Sequence, residues 1–240
     1  LKAMQACAPD IVCLQETKCP DPQFPHKVFE DAGYVHRHIH GMKGYNGVAI
    51  LSRRPFTVGE KWDRVGRSDC RHVAVQMDVA GLDKPLHIHN VYIPAGGDIP
   101  DVAANDKFAH KLDFVDELKT YFARTYKRTD PLVVVGDFNI APLEHDVWSD
   151  RQLLDVVSHR PVEVEKLTAM MKSLDWVDAV RTKTPEPEKV YTWWSYRNRD
   201  WKASNRGRRL DHIWVTPALR DRLQGYDIIR DARDWTQPSD

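Results

Sequence analysis

Apolar runs of strand length recur along the chain, and each is bounded by Gly, Pro or Asp residues. Runs of this length and with these boundaries predict β-strands that are at least half buried. The segment AGLDKP between the third and fourth runs is short enough for a hairpin, so part of the sheet is predicted to be antiparallel. The predicted strands are 11–15, 47–52, 72–79, 86–93, 132–136 and 210–216.

Helical spacing of apolar residues is found between these runs. The clearest helix is predicted over 103–128, where apolar residues recur three or four positions apart. A second helix is predicted over 163–175, and a third over 217–223, where a proline stands at the first position. Strands mixed with helices in this way predict an α/β protein of the α+β type, with layered sheets and helices outside.

Composition narrows this picture only slightly. The chain has 240 residues, of which 42% are apolar and 29% charged, so we expect one globular domain over 1–240. Lys plus Arg (35) equals Asp plus Glu (35), so any nucleic-acid partner must be met by a local basic patch. The four cysteines form no CxxC pair, and no run approaches a membrane span. We therefore expect a soluble cytoplasmic protein, most simply a monomer.

Polar side chains stand where several predicted strands end or begin. Glu16 follows the first apolar run, Asp137 and Asn139 follow the fifth, and Asp211 opens the last. Taken singly, each has an ordinary interpretation as a helix cap, a turn former or an ion-pair partner. Together they form a set suited to phosphodiester hydrolysis, because oxygen ligands select hard cations such as Mg²⁺, with Mn²⁺ as a substitute. The metal would neutralise charge on the phosphate.

A second candidate patch lies at 193–210. Trp193 and Trp194 precede a loop that is rich in arginine, including Arg206, Arg208 and Arg209. Basic groups interleaved with aromatic rings are typical of nucleic-acid binding. The alternative interpretation is that both tryptophans belong to the core and the arginines to a solvated loop.

Alternating histidines occupy two other segments, at 36–40 and 87–89. Alternation on a strand would place them on one face, where they could ligate a metal. Solvated strand faces are the simpler interpretation, and it is the one we adopt.

Six motifs, in this order and spanning nearly the whole chain, resemble the exonuclease III family of class II abasic-site endonucleases, within the endonuclease/exonuclease/phosphatase superfamily. The motifs are LQETK, GYNGVAILSR, NVYIP, GDFN, YTWWSYR and NRGRRLDHIW. The resemblance, which is to the bacterial type, implies a four-layer sandwich of two mixed sheets with helices outside. It also implies a metal-dependent DNA-repair nuclease that cuts on the 5′ side of abasic sites, digests DNA 3′→5′ and cleans 3′ ends.

The resemblance also implies a role for individual residues. Glu16 resembles the metal-binding glutamate and Tyr92 the tyrosine that contacts the scissile phosphate. Asp137 resembles the aspartate that activates water or handles the leaving group, Asn139 its phosphate-positioning partner, and Asp211 the aspartate that orients a catalytic histidine. The remaining matches concern DNA: Trp193 and Leu210 for an apolar sugar pocket, and Tyr45 for a backbone-gripping loop.

Three departures from the family pattern stand out. The family's first strand, which ends in a metal-proximal asparagine, is absent. The family pattern ends in a Ser-Asp-His motif, but this chain stops at Ser239-Asp240, so the histidine is missing. We expect Asp240 to bind metal. Ala95 also stands where relatives often carry an amide. We therefore expect a domain that is truncated at both ends and nearly inactive as 240 residues. We expect a protein restored at both ends to be active, and we call it the extended form.

Two alternatives share part of this pattern. A superfamily phosphatase acting on inositol phosphates or lipids would use the same carboxylates but would not need paired tryptophans beside an arginine-rich loop. A non-catalytic DNA-binding paralogue would keep the loop and tolerate loss of Asp137. The sequence does not rank endonuclease against exonuclease activity, since both use one site.

Overall fold

The computed structural model describes residues 2–236 and 238. Its helices and strands are numbered here in chain order. The helices are α1 (Lys2–Cys7), α2 (His26–Asp31), α3 (Asp106–Thr125), α4 (Asp150–Leu153), α5 (Pro161–Ser173), α6 (Ala179–Lys183) and α7 (Trp201–Ser204). The strands are β1 (Ile11–Gln15), β2 (His36–His40), β3 (Val48–Ser52), β4 (Thr57–Trp62), β5 (His72–Met77), β6 (Leu86–Tyr92), β7 (Leu132–Asp137), β8 (Val177–Asp178), β9 (Trp193–Trp194), β10 (Gly207–Arg208) and β11 (Asp211–Val215).

The larger sheet has six strands in the order β4-β5-β6-β7-β11-β8. It is mixed, because β6 and β7 run parallel while β5 pairs antiparallel with β6, and β11 with β7. The predicted hairpin between β5 and β6 is therefore confirmed. The parallel pair is connected through the long helix α3, as parallel strands require a crossover.

The smaller sheet has the order β1-β3-β2, and these strands pair antiparallel. Its inner face packs Val48 and Ile50 against Val73, Val75 and neighbouring apolar residues of the larger sheet. Its outer face packs against α1 and α2 through residues such as Met4 and Phe29. The two sheets thus lie face to face around a shared apolar core.

Helices α3 and α5 cover the outer face of the larger sheet. Phe114, Leu118 and Phe122 of α3 pack with Leu167 and Met170 of α5 against the sheet. The layers are therefore helices, small sheet, large sheet and helices, so the predicted four-layer sandwich is confirmed. A two-stranded sheet of β9 and β10 stands at its rim.

The predicted helices differ from the observed ones mainly at their ends. The Asn105 side chain accepts a hydrogen bond from the Lys107 amide and so begins α3 later than the predicted start. Helix α5 begins at Pro161, with Glu163 accepting from the Arg160 amide, earlier than predicted. The segment predicted at 217–223 forms a 3-10 helix over Pro217–Arg222. Within the described residues, no helix is both long and apolar enough to cross a membrane.

Candidate active site

Three of the predicted site residues form one row across the larger sheet. Tyr92 at the end of β6 is in register with Asp137 at the end of β7, and Asp137 with Asp211 at the start of β11. Residues in register on adjacent strands point to the same face of a sheet, and antiparallel partners have Cβ atoms roughly 4.5–5.5 Å apart. The row therefore places two carboxyl groups side by side at the rim of the sheet.

Gly136 allows this row to form. Its φ is +140°, and an added Cβ would lie 1.8 Å from the Val91 carbonyl oxygen on the adjacent strand. A side chain at this position would push β7 away from β6. The glycine therefore brings Asp137 close to Tyr92 at the rim of the sheet.

Asn139 is fixed to Asp137 by two hydrogen bonds. Its backbone amide donates to Asp137 Oδ1 at 2.8 Å, and its side-chain Nδ2 donates to Oδ2 at 3.0 Å. Nδ2 also donates to the Ile93 carbonyl at 2.9 Å. With φ at 53°, Asn139 adopts the left-handed conformation that asparagine tolerates better than most residues. The carboxylate and the amide thus form one rigid pair.

Glu16 reaches the row from the smaller sheet. Its Oε1 accepts a hydrogen bond from the Tyr92 hydroxyl at 2.5 Å, and its Oε2 pairs with Lys18 Nζ at 3.0 Å. Partial burial alone would raise the pKa of Glu16, but the hydrogen bonds from Tyr92 and Lys18 and the nearby charge of Arg71 lower it below the usual value. Glu16 is therefore an ionised carboxylate at neutral pH.

Tyr92 remains a neutral phenol. Burial raises the pKa of Tyr92, and the adjacent carboxylates of Glu16 and Asp137 raise it further. A neutral phenol retains its O–H as a hydrogen-bond donor. Tyr92 can thus donate to a carboxylate or, in its place, to a phosphate oxygen.

These side chains line one cavity of about 820 Å³. All four predicted catalytic residues and Glu16 face it, together with Trp193, Arg208 and Leu210 from the rim. Ala95 also lines it with only a methyl group. The cavity therefore brings together carboxylate, amide, phenol, guanidinium and apolar groups, and we call it the main cavity.

Arg71 connects the loop that carries Tyr45 to the row. Its guanidinium donates to Asn46 Oδ1 at 3.0 Å, to the Tyr92 carbonyl at 3.3 Å and to Asp69 Oδ2 at 2.5 Å, and it lies 4.7 Å from the centre of the Tyr92 ring. His110 Nε2 donates to the same Asp69 oxygen at 3.0 Å. Sequence reasoning missed Arg71, because its partners are brought together only by the fold.

A buried ion pair supports the site from behind. Lys111 of α3 and Glu163 of α5 contact each other, and both side chains are 0% exposed. Lys111 Nζ also donates to the carbonyls of Asn139 at 2.8 Å and Ala95 at 3.3 Å. Burial lowers the pKa of Lys111, although the charge of Glu163 opposes the shift. A sequence signal was present, since Lys111 stands on the apolar face of α3.

The donor set fits a hard divalent cation. Within residues 2–236 and 238, no group of three or more His, Cys, Asp and Glu side chains converges as a metal site. Mg²⁺ does not require one, because it is commonly held by one or two carboxylates, water and substrate phosphates. The ionised Glu16 is the carboxylate best suited to this role, with Asp137 and Asp211 in the same cavity. Asp240, also predicted to bind metal, lies outside the described residues.

Two residues predicted to contact DNA do not reach the surface. Arg209 is 0% exposed and is held by Asp146 and Asp178, with N–O distances of 2.7–2.8 Å. Trp194 is buried, donates to Asn205 Oδ1 at 3.0 Å and packs against Trp201. The DNA-binding prediction is therefore corrected for both: Arg209 neutralises buried carboxylates and Trp194 belongs to the core.

The other predicted contact residues are accessible to a ligand. Trp193 and Arg208 are half-buried, Arg206 is exposed, and Tyr45 is 72% exposed. Leu210 is buried but lines the main cavity.

The prediction of solvated histidine faces is wrong for His38 and His89, which are both buried. His89 lies beneath α3, where its Nδ1 is 2.8 Å from His72 Nε2 and its Nε2 is 2.8 Å from the Tyr126 hydroxyl. Arg64 Nε donates to His72 Nδ1 at 3.2 Å. Burial lowers the pKa of His72 and of His89 well below its usual value, so these two are neutral at pH 7.

The chain as a whole matches a known protein family. The endonuclease/exonuclease/phosphatase family matches residues 1–240, which is the whole chain. The chain belongs to this family. Its members share the sandwich and differ in substrate, so membership alone does not name the substrate.

Several known proteins are similar to this chain over most of their own length. Exodeoxyribonuclease III of Haemophilus influenzae is 29% identical, with 97% of this chain and 87% of that protein covered. An AP endonuclease from Archaeoglobus fulgidus superposes with a TM-score of 0.87 at 30% identity, covering 100% of this chain and 88% of the other. The 3′ phosphatase NExo from Neisseria, bound to a product DNA hairpin, gives a TM-score of 0.85 at 29% identity, covering 100% and 89%. The resemblance to exonuclease III inferred from the motifs is therefore confirmed.

Proposed function

We propose that this protein is a DNA-repair nuclease that hydrolyses phosphodiester bonds, both as an endonuclease on the 5′ side of abasic sites and as a 3′→5′ exodeoxyribonuclease. The observation that carries the proposal is the in-register row of Tyr92, Asp137 and Asp211, completed by Glu16 and Asn139 in one cavity. The names of the relatives, exodeoxyribonuclease III and AP endonuclease, support the same substrate class.

Both activities break the same kind of bond. Water attacks phosphorus, the bond from phosphorus to the 3′ oxygen breaks, and the 3′ oxygen leaves as a hydroxyl after taking a proton from solvent. Asp137 is placed to accept the proton of the attacking water, and its two hydrogen bonds from Asn139 hold the carboxylate in one orientation. The Tyr92 hydroxyl can donate to a non-bridging phosphate oxygen in place of Glu16, whereas Asn139 Nδ2 can do so only by giving up its hydrogen bond to Asp137 or to the Ile93 carbonyl.

We propose that Glu16, together with the carboxylates of the row, holds Mg²⁺, for which Mn²⁺ can substitute. Bound there, the cation would offset charge on the scissile phosphate. Lys18 pairs with Glu16 in this structure, so the carboxylate is accompanied by a positive charge.

DNA is proposed to lie across the rim of the main cavity. Trp193 and Leu210 offer an apolar wall for the sugar, while Arg206 and Arg208 offer positive charge for the backbone. Tyr45 is exposed on a loop tied through Arg71 to the site, so it can contact the duplex outside the cavity. We propose double-stranded DNA with abasic sites or 3′ ends as the partner, and a cytoplasmic monomer as the working form.

The test is a cleavage assay on matched abasic, nicked and intact duplexes with Mg²⁺ or with EDTA. We expect the extended form to cut the abasic duplex on its 5′ side and to shorten 3′ ends only with the metal. Asp137→Asn should lower kcat by several orders of magnitude with little change in DNA affinity. Full activity in this variant, or equal activity of the extended form in EDTA, would refute the assigned roles.

Three other outcomes are distinguished when 3′-phosphorylated DNA, inositol phosphates and a DNA-binding measurement are added to this assay. Release of phosphate from a 3′-phosphorylated end would add 3′-end cleaning, and the Neisseria relative is named a 3′ phosphatase. Activity on inositol phosphates with none on DNA would favour a superfamily phosphatase. DNA binding that persists without any cleavage would favour a non-catalytic paralogue.

A further inference from the structure

A second, smaller pocket adjoins the main cavity. It has a volume of about 300 Å³ and is lined by Trp148, Trp193, Arg206 and Arg208, with small polar side chains at its rim. Trp193 and Arg208 line both cavities. They are cross-strand partners on β9 and β10, so one short hairpin forms the wall between the two spaces.

The local backbone brings Trp148 to this hairpin. The Trp148 amide donates to the Gly207 carbonyl at 3.1 Å, and Val147 forms a bridge with Arg208. Gly207 is required here, because an added Cβ would lie 2.6 Å from the Tyr191 side chain. Trp148 and Arg206 are thereby held as neighbours on the far side of Arg208.

The charges of the two cavities differ. The main cavity holds the carboxylates, whereas the smaller pocket is lined by two guanidinium groups and two indoles. Over the described part of the chain, neither Arg206 nor Arg208 forms an ion pair within 4.0 Å, although the Glu163 carboxylate attracts Arg208 from farther away. Arginines that line a concave space without a direct ion pair favour an anionic ligand.

Arg206 is also oriented for such a ligand. Its guanidinium lies over the Trp148 ring at 4.6 Å from the centre. Stacking engages the flat face of a guanidinium and leaves the N–H donors at its edge able to grip a phosphate. Fewer N–H donors of Arg208 are available to a ligand, because its Nη1 donates to Ser158 Oγ at 2.8 Å and to the Val157 carbonyl at 3.2 Å.

We propose that the smaller pocket binds the nucleotide next to the scissile phosphate on the same strand, with its phosphate on Arg206 and its base against Trp148. A nucleotide combines a charged phosphate with a flat apolar base, which are the two features that this lining can satisfy. The shared wall of Trp193 and Arg208 allows linked nucleotides to run from one cavity to the other. The proposal rests on the proposed function, since it assumes that the main cavity holds a DNA strand.

The test measures DNA binding in EDTA, so that no bond is cut, using duplexes in which one phosphate at a time is replaced by a neutral methylphosphonate. We expect one position beside the scissile linkage at which neutralisation weakens binding by the wild type about tenfold. Arg206→Gln should weaken binding of the normal duplex by a similar factor and lose nothing further at that position. It should also lower the slope of log K against log salt by about 0.7–0.9.

The matched control is Arg220→Gln, which removes the same charge at the opposite end of β11 from Asp211 and should change none of these values. Trp148→Leu tests the base contact and should weaken binding by roughly fivefold or more. The contradicting result is a loss of affinity from Arg206→Gln that multiplies with the loss from neutralising a phosphate at every position tested. In that case Arg206 contacts none of these phosphates, and the inference is wrong. Absence of any DNA binding by the wild type would instead overturn the proposed function, and this pocket assignment with it.

Discussion

Replacing Lys111 by methionine should destabilise the protein strongly, because it breaks a fully buried ion pair. Methionine keeps most of the length of the lysine side chain but carries no charge. The Glu163 carboxylate would remain 0% exposed without its cation, and the carbonyls of Asn139 and Ala95 would lose a donor. The perturbation therefore acts on stability and on the position of Asn139 together.

The loss of unfolding free energy depends on the hydrogen bonds that the remaining partner of the ion pair keeps. Removing one partner of a buried pair costs about 3–5 kcal/mol. Glu163 keeps backbone amide donors from Ser158 and Arg160, so we expect the lower end, about 3 kcal/mol, for Lys111→Met. Glu163→Gln should cost a similar amount, because it leaves a buried ammonium. The double variant buries no unpaired charge and should cost about 2–3 kcal/mol less than the sum of the single changes.

The assay is urea denaturation followed by circular dichroism on the wild type, both single variants and the double variant. Lys119→Met is the matched control: it removes a lysine from the same helix, but that lysine forms a half-exposed pair with Asp116 and should cost less than about 1 kcal/mol. A cost below about 1 kcal/mol for Lys111→Met, or additivity of the two single changes within about 0.5 kcal/mol, would refute the reasoning.

Three further predictions concern other contacts of the fold. Arg71→Lys should lower kcat for abasic-site cleavage by the extended form by roughly 10- to 100-fold, with little change in KM. The reason is that an ammonium cannot replace all the guanidinium contacts that hold Tyr92. A kcat within twofold of the wild type would contradict this prediction. Gly136→Ala should cost about 3 kcal/mol or more in urea denaturation, since its Cβ would lie 1.8 Å from a carbonyl oxygen; a variant as stable as the wild type would contradict the close approach. His72 and His89 are neutral in the folded protein but become protonated in the unfolded chain below pH 6.5. As the pH falls below that value, together they should lower the free energy of unfolding by up to about 2.7 kcal/mol per pH unit. His72→Gln should make the free energy of unfolding depend less steeply on pH, and an unchanged dependence would contradict the burial effect.

The strand ends were predictable because polarity changes abruptly there. Glu16, Asp137 and Asn139 stand at the ends of mostly apolar runs, and Asp211 stands near the start of one, so the sequence places them at the rim of a sheet. Their register was not predictable, since strand order depends on contacts between distant segments. The boundaries of the helices followed local capping, which sequence reasoning read only approximately.

The two errors in the rim have different physical causes. Trp193 and Trp194 are adjacent residues of β9 and point to opposite faces, so they cannot both face a ligand. Arg209, in contrast, follows β10 and is held inside by Asp146 and Asp178. No strand was predicted from the sequence at 193–194, so the alternation of the two tryptophans was not recognised. Arg71 offered no such signal, because its partners lie in three separate segments.

The row of Tyr92, Asp137 and Asp211 also determines where the chain can change length. Inserting or deleting one residue within β7 would turn Asp137 to the opposite face of the sheet and separate it from both neighbours. The same change in the loop between β6 and α3 would alter the cavity wall without moving the row. Variation in length is therefore expected to be confined to the loops, and substrate range can change while the spacing of the reacting groups stays constant.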